Sequence, residues 1–238
     1  MKCRAVADHQ VFPQDGPLAL NANSQLRELR ARLATDRATV YCYVIVTIEE
    51  QSGHFVQTGS GPNFEGGLVT LCTCKHWMRT FKSAEDWVGK WVAGFTGVGP
   101  GRGHNYLFFL MRVAQALESH GQLWFSDAIP AEAKRAKAAD ENKFGDIYRP
   151  RHETGDPHDP REYVPPCRKH VHCEDNHWHD DIDYVGRSGR VAALLAGDAE
   201  RSFLWNRPAI WFGSRIHRGQ KKVKLVDLLS QLREGSLL

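Results

Sequence analysis

The sequence YCYVIVTI at residues 41–48 decides the fold, because it combines β-branched and aromatic side chains in one apolar run bounded by charged residues. A run of this length and composition is typical of a central β-strand. Three other segments have the same character. We predict strands over most of 41–48, 68–74, 90–95 and 106–113, and we expect them to pair in one sheet system.

Helices are predicted before and after these strands. Ser24 is a candidate N-cap for a helix that places Leu26, Leu29 and Leu33 on one face. We expect this helix to pack on the domain or on a partner. Proline, aspartate and histidine residues between 144 and 168 indicate an ordered loop or lid. Further helices are predicted at 130–140, around 190–197 and over 223–234.

The composition is that of a single globular domain. The chain has 238 residues, 42% of them hydrophobic and 25% charged, which is enough for one sizeable core. No apolar run is long enough to cross a membrane, and the N-terminal MKCRAVADHQ lacks the apolar region of a secretory signal. We therefore expect a cytoplasmic protein with no membrane partner, whose cysteines are reduced unless they bind metal. The net charge of +3 neither establishes nor excludes nucleic-acid binding.

Several short motifs follow one another between residues 41 and 148. They are Tyr41–Val46, Gly61–Phe64, Leu71–Lys75 with Arg79, Gly89–Gly94, Met111–Val113 and Gly145–Tyr148. In order and spacing they resemble the second of the nucleotide-modification-associated domain families, found largely in phage and bacterial genomes beside genes for modified DNA bases. The chain departs from that pattern at His76, where proline is usual, at Lys90, which replaces an aspartate, and before Ile147, where an asparagine is missing. The resemblance implies a context more than a reaction.

Residues 88–113 also resemble the PUA-like barrels of the ASCH, EVE and YTH domains, through a glycine-flanked strand followed by one that contains Met-Arg-Val. This resemblance implies an α+β fold, namely a PUA-like mixed β-barrel with peripheral helices, and a pocket walled by aromatic side chains. We expect one domain over 1–238. Its parts are an N-terminal arm and helix (1–40), the barrel core (41–148), a polar loop rich in histidine and aspartate (149–190), and C-terminal helices with a closing strand (191–238).

The motifs contain residue types that suit a nucleotide, since a base needs a flat apolar wall, polar groups for its edge and a cation near its phosphate. A thiol of this region beside Lys75 or Arg79 could also have a lowered pKa and act as a nucleophile. The alternatives are buried apolar cysteines, solvated surface charges and a simple turn at 145–148. The predicted nucleotide-binding residues are Asn63, Phe64, Cys74, Lys75, Arg79 and Tyr148, with Asp146 as a candidate general base.

The densest group of potential metal ligands lies in residues 167–181, CRKHVHCEDNHWHDD. His170, His172, His177 and His179 could supply a tetrahedral Zn²⁺ site, although the spacing is not that of a zinc finger or of an HExxH protease. Without a metal, His172 and His177 could act in catalysis or bind phosphate. A polar structured loop is the third interpretation.

These features lead to two main hypotheses. The first is a nucleotide- or nucleic-acid-binding domain that recognises a base, modified or not, in a DNA-modification or phage-defence context. The second is an enzyme that installs or processes a modified nucleotide through Asp146 or the histidine cluster. A structural partner that docks through 223–234, and a homodimer, are further options. The sequence leaves open which base is bound and whether DNA, RNA or a free nucleotide is the ligand.

Overall fold

The computed structural model describes residues 9–98, 103–127, 129–170, 177–216 and 221–235, and it shows a mixed α+β fold. The strands are β1 (Thr39–Ile45), β2 (Ile48–Gln51), β3 (His54–Gln57), β4 (Thr70–Leu71), β5 (Trp91–Thr96), β6 (Leu107–Leu117), β7 (Leu194–Leu204), β8 (Ile210–Phe212), β9 (Lys221–Lys224) and β10 (Leu232–Glu234). The helices are α1 (Gly16–Leu20), α2 (Leu26–Leu33), α3 (His76–Arg79), α4 (Ala84–Trp87), α5 (His120–Phe125), α6 (Ala131–Ala136), α7 (Asp180–Asp183) and α8 (Leu225–Gln231). Short 3₁₀ helices lie at Glu65–Gly67, Pro160–Glu162 and His177–His179.

The centre of the fold is a six-stranded sheet in the order β4-β7-β6-β5-β1-β9. Strand β1 pairs in parallel with β5, and the other pairings in this sheet are antiparallel. The predicted α+β class is thus confirmed. In the described part of the chain β4 and β9 each pair with one strand only, so this sheet is open rather than closed into the expected barrel.

Strand β1 is buried on both faces, as its apolar sequence predicts for a central strand. Because side chains alternate along a strand, Cys42 and Val44 enter one core and Tyr41 and Tyr43 enter another. Helices α2 and α8 cover the first core, and α1, α3 and α4 cover the second. The sheet is therefore the middle layer of the fold.

The predicted strands pair in one sheet, but one of them is much shorter than expected. Strands β1, β5 and β6 confirm the predictions for 41–48, 90–95 and 106–113. The prediction for 68–74 holds only for Thr70–Leu71. The chain leaves the sheet there because the backbone N–H of Cys72 bonds to Asp146, and Lys75 takes a left-handed φ of 58° before α3 begins.

Residues 194–204 form strand β7, so the short helix predicted around 190–197 is wrong. Alanine and leucine favour a helix locally. However, β7 hydrogen-bonds to β6 on one side and to β4 on the other, and Leu194 and Leu195 enter different cores. Pairing with two distant strands overrides the local propensity.

Helices α2, α6 and α8 confirm three of the predicted helices. The N-cap of α2 is Gln25 rather than Ser24, whose hydroxyl donates to the carbonyl of Asn21. The predicted C-terminal helix is shorter than expected, because β9 and β10 occupy its two ends. No helix within the described ranges is long and apolar enough to cross a membrane.

Candidate functional site

Asp146 is buried beside the end of β4, as part of the Gly-Asp-Ile-Tyr motif. Its carboxylate accepts hydrogen bonds from Thr70 Oγ1 at 2.8 and 3.1 Å and from the backbone N–H of Cys72. Burial raises the pKa of this carboxyl, while Lys137 and the Thr70 hydrogen bond oppose the rise. Two predicted segments, 72–75 and 146–148, are thus in direct contact.

Lys137 is a fully buried cation that sequence reasoning missed. Its Nζ donates to the carbonyl of Asn63 at 2.8 Å, to Asn63 Oδ1 at 2.9 Å and to the carbonyl of Leu68 at 2.6 Å. Burial lowers its pKa to about 8, against the attraction of Asp146. Nothing in the alanine-rich segment around Lys137 distinguishes it from the exposed lysines, so no sequence signal was present.

Asn63 links the Gly-Pro-Asn-Phe turn to the loop before Asp146. Besides accepting from Lys137, it donates through Nδ2 to the carbonyl of Phe144. Only 1% of Asn63 is exposed. In this conformation its polar atoms bind protein groups, so it holds two site loops together.

A second polar group, the Asp181 cluster, consists of Asp181, His76, Tyr148 and His170. Asp181 Oδ1 lies 2.7 Å from His76 Nε2, and Asp181 Oδ2 accepts from the Tyr148 hydroxyl at 2.8 Å. The same hydroxyl lies 3.3 Å from His170 Nε2. Burial raises the pKa of Asp181 well above its ordinary value, and burial followed by the Asp181 charge does the same for Tyr148.

His120 hydrogen-bonds to the backbone of two members of the Asp181 cluster. It was not identified from the sequence. Its Nδ1 accepts from the backbone N–H of Tyr148, and its Nε2 donates to the backbone carbonyl of Asp181, both at 3.2 Å. Burial, assisted by the charge of Arg79, lowers the pKa of His120 to about 3. A neutral imidazole is the form that has one donor and one acceptor, so these two bonds fit its protonation state.

Arg79 lies fully buried between the two polar groups rather than at the surface. Its Nε donates to the carbonyl of Cys74 at 2.9 Å, and its Nη1 donates to the carbonyls of Ala192 and Ala193 at 3.0 and 2.8 Å. Its Nη2 has no hydrogen-bond partner among the described residues. Its charge favours ionisation of both Asp146 and Asp181. In this structure Arg79 organises the site and does not present a guanidinium to solvent.

A narrow cleft, here called the Asp146 cleft, joins the two groups. It is lined by Gln57, Gly59, Ser60, Gly61, Thr73, Lys143, Phe144, Gly145, Asp146 and His170. The lining comes from the glycine-rich loop, the end of β4, the Asp146 motif and the histidine-rich run. The space open to the centre of a water molecule is about 10 Å³, which is room for about one water. The cleft is therefore closed in this conformation.

A wider cleft of about 310 Å³ is lined by residues of α5 and by parts of the segment 150–163, including Tyr163. Its rim carries Glu153, Asp156 and Glu162, with His152 as a neighbour. Three carboxylates would repel a phosphate, since like charges at short range are unfavourable. This cleft is the weaker candidate for a nucleotide.

The remaining predicted nucleotide-binding residues take other positions. Phe64 is 1% exposed and packs in the core, with its ring 4.9 Å from that of Phe12 and 6.1 Å from that of Phe108. Lys75 Nζ lies 5.1 Å from the centre of the Tyr43 ring. Burial raises the pKa of Cys74 to about 11 despite Arg79 and Lys75, so its thiol stays protonated at neutral pH. This does not favour the nucleophile hypothesis.

The predicted zinc ligands are only partly described. His170 belongs to the Asp181 cluster, and its Nδ1 lies 3.1 Å from the carbonyl of Lys143. The ring of His179 packs against Trp178, with 4.3 Å between the ring centres. His172 and the side chain of His177 lie outside the described residues. Within those residues, no three histidine, cysteine or acidic side chains are grouped so that they could hold a metal ion.

Comparison of the chain with protein-family models, with curated proteins and with solved structures found no match. The Asp146 cleft and the Asp181 cluster, where the sequence motifs converge, are therefore the features that bear on function.

Proposed function

We propose that this domain binds a nucleotide, free or within nucleic acid, at the Asp146 cleft. The observation that carries the proposal is the convergence of Thr73, Asp146 and His170, which lie far apart in the sequence, on one lining. Gly59–Gly61 brings backbone close to the same space, and Lys143 supplies a cation at its edge. Polar groups for a base edge, a nearby ring and a cation for phosphate are what a nucleotide needs.

Binding requires the cleft to open. Lys143 and Phe144 form one wall, with Lys143 Nζ 4.8 Å from the centre of the Phe144 ring, and Ser60 with its flanking glycines forms the other. Movement of either wall would expose the buried carboxylate of Asp146 and the Phe144 ring to a ligand. Phe144 then replaces Phe64 as the ring available for stacking.

The biological context is part of the same proposal. The resemblance of 41–148 to nucleotide-modification-associated domains supports a role in DNA modification or phage defence. The sequence likeness of 88–113 to PUA-like domains supports base recognition, although the six-stranded sheet of the described residues is open. The domain's ligand would then be a base, modified or not, presented by a nucleotide or a strand.

Equilibrium binding of AMP, CMP, GMP, dTMP and a short single-stranded DNA tests the proposal. We expect Lys143→Ala to weaken binding about tenfold and to reduce its salt dependence, as for a phosphate contact. Asp146→Asn keeps the shape of the side chain and should weaken binding by a similar factor if the carboxylate reads the ligand. Lys224→Ala, on the opposite edge strand of the sheet, is the matched control. Absence of binding by the wild-type protein to every ligand would refute the proposal.

A second candidate function is enzymatic processing of the nucleotide. The specific observation is the Asp181 cluster, in which a carboxyl with a raised pKa contacts a tyrosine hydroxyl and a histidine. Buried ionisable groups with shifted pKa values are typical of acid–base sites. The Zn²⁺ hypothesis for 167–181 belongs to this alternative.

Mass spectrometry of nucleotides and DNA incubated with the protein separates the two functions. A new product that disappears with Asp181→Asn, while Lys224→Ala retains it, would establish the enzyme. Binding without any product leaves the domain as a recognition module.

A further inference from the structure

Gln57, the last residue of β3, lines the Asp146 cleft. Its side-chain amide makes a hydrogen bond through the nitrogen but, within the described ranges, none through the oxygen. The side chain is 3% exposed, and its Nε2 donates to the carbonyl of Gly59 at 3.0 Å. This bond fixes the orientation of the amide, so the carbonyl end cannot exchange places with the amino end. In the part of the chain that the structure describes, Oε1 has no hydrogen-bond partner.

The glycine-rich loop is shaped around this amide. A Cβ at Gly61 would lie 2.8 Å from Gln57 Nε2 and 3.3 Å from Oε1, closer than real Cβ atoms normally approach. A side chain at this position would therefore force the amide of Gln57 to move. A buried acceptor without a partner is uncommon in folded proteins and calls for an explanation.

We infer that Gln57 reads the ligand, and that it selects adenine or cytosine through the exocyclic amino group of the base. The inference rests on the proposed nucleotide binding at the Asp146 cleft. Gln57 Oε1 can only accept a hydrogen bond, and one of the two N–H groups of its amide already donates to the carbonyl of Gly59. An amino group on adenine or cytosine would donate to Oε1 once the cleft opens. A carbonyl oxygen of the base opposite Oε1 would face another acceptor, and neither oxygen would receive a hydrogen bond.

The test compares pairs of nucleotides that differ only in the amino group. AMP is matched with purine riboside monophosphate, which lacks the 6-amino group, and CMP with its 4-deamino analogue. We expect at least one amino-bearing nucleotide to bind roughly tenfold more tightly than its partner, the effect of one buried hydrogen bond. Gln57→Met, which removes the acceptor at similar size, should make that pair bind equally.

Gln51→Met provides the matched control, because Gln51 is an exposed glutamine in the neighbouring strand β2. It should leave the preference for the amino group unchanged. If Gln57→Met does not fold, the comparison on the wild-type protein still decides the question. Equal binding within both pairs overturns the role of Gln57 and leaves nucleotide binding intact. Failure of all four nucleotides to bind overturns this inference alone if GMP, dTMP or single-stranded DNA still binds, and it overturns the proposed function as well if none of those ligands binds.

Discussion

Removal of the Tyr148 hydroxyl is the most direct test of the hydrogen bonds in the Asp181 cluster. Tyr148→Phe removes one oxygen and keeps the ring, which is buried and contacts Trp178 and His120. The substitution removes the 2.8 Å hydrogen bond to Asp181 Oδ2 and the longer 3.3 Å contact with His170 Nε2. A buried hydrogen bond contributes about 0.5–1.5 kcal/mol, or about 1.5–3 kcal/mol where one partner is charged, and a buried acceptor left without its donor adds to the loss. We expect the free energy of unfolding to fall by about 1–3 kcal/mol.

Tyr43→Phe is the matched control for this substitution. The Tyr43 hydroxyl is equally buried, and among the described residues it has no nitrogen or oxygen partner. It lies beside the sulfur of Cys74, which is a weak acceptor. Removing it should change the unfolding free energy by less than about 0.5 kcal/mol, or stabilise the protein. Urea denaturation, with the slope m compared between variants, measures both effects.

The effect of Tyr148→Phe should also depend on pH. Burial raises the pKa of Asp181 above its ordinary 3.8, so the stability contributed by this carboxyl is present at low pH and is lost as pH rises through the folded-state pKa. The Tyr148 hydrogen bond lowers that pKa and so limits the loss. Tyr148→Phe should therefore cost more stability at high pH, where Asp181 is ionised in the folded protein, than at low pH, where it is protonated. Equal costs for the two tyrosines, or a larger cost at low pH, would contradict the proposed role of the hydroxyl.

Three further predictions concern the core, a turn and the histidine-rich run. Phe64→Ala should lower the unfolding free energy by about 3–5 kcal/mol, because Phe64 is a core residue, whereas Phe125→Ala at a half-exposed site should cost far less. Gly66→Ala should cost more than Gly67→Ala in a thermal melt; both have positive φ, but only at Gly66 would a Cβ meet the backbone of Ala133, at 2.7 Å. If 167–181 binds Zn²⁺, elemental analysis of the purified protein should give about one equivalent, lost in His172→Ala or His177→Ala, whereas a metal-free protein of unchanged stability indicates a polar loop.

Sequence pattern alone was sufficient for the elements whose burial follows from local composition. The continuous apolar run in 41–48 predicts a central strand, and β1 is buried on both faces of the sheet. The leucine spacing in 26–33 likewise predicts α2. Asp146 and Tyr148 were singled out from their motif, and both lie in the buried polar groups described above.

Tertiary structure decided which polar residues are buried and what they contact. Arg79 bonds to the carbonyls of Ala192 and Ala193, more than a hundred residues away, and Lys137 bonds to Asn63 and Leu68. No local pattern predicts such partners, because the cost of burying a charge is offset only by groups brought close through folding. A sequence motif identified Asp146 and Tyr148. Only the packed structure identified His120, Lys137 and the Gln57 amide, whose oxygen has no hydrogen-bond partner among the described residues.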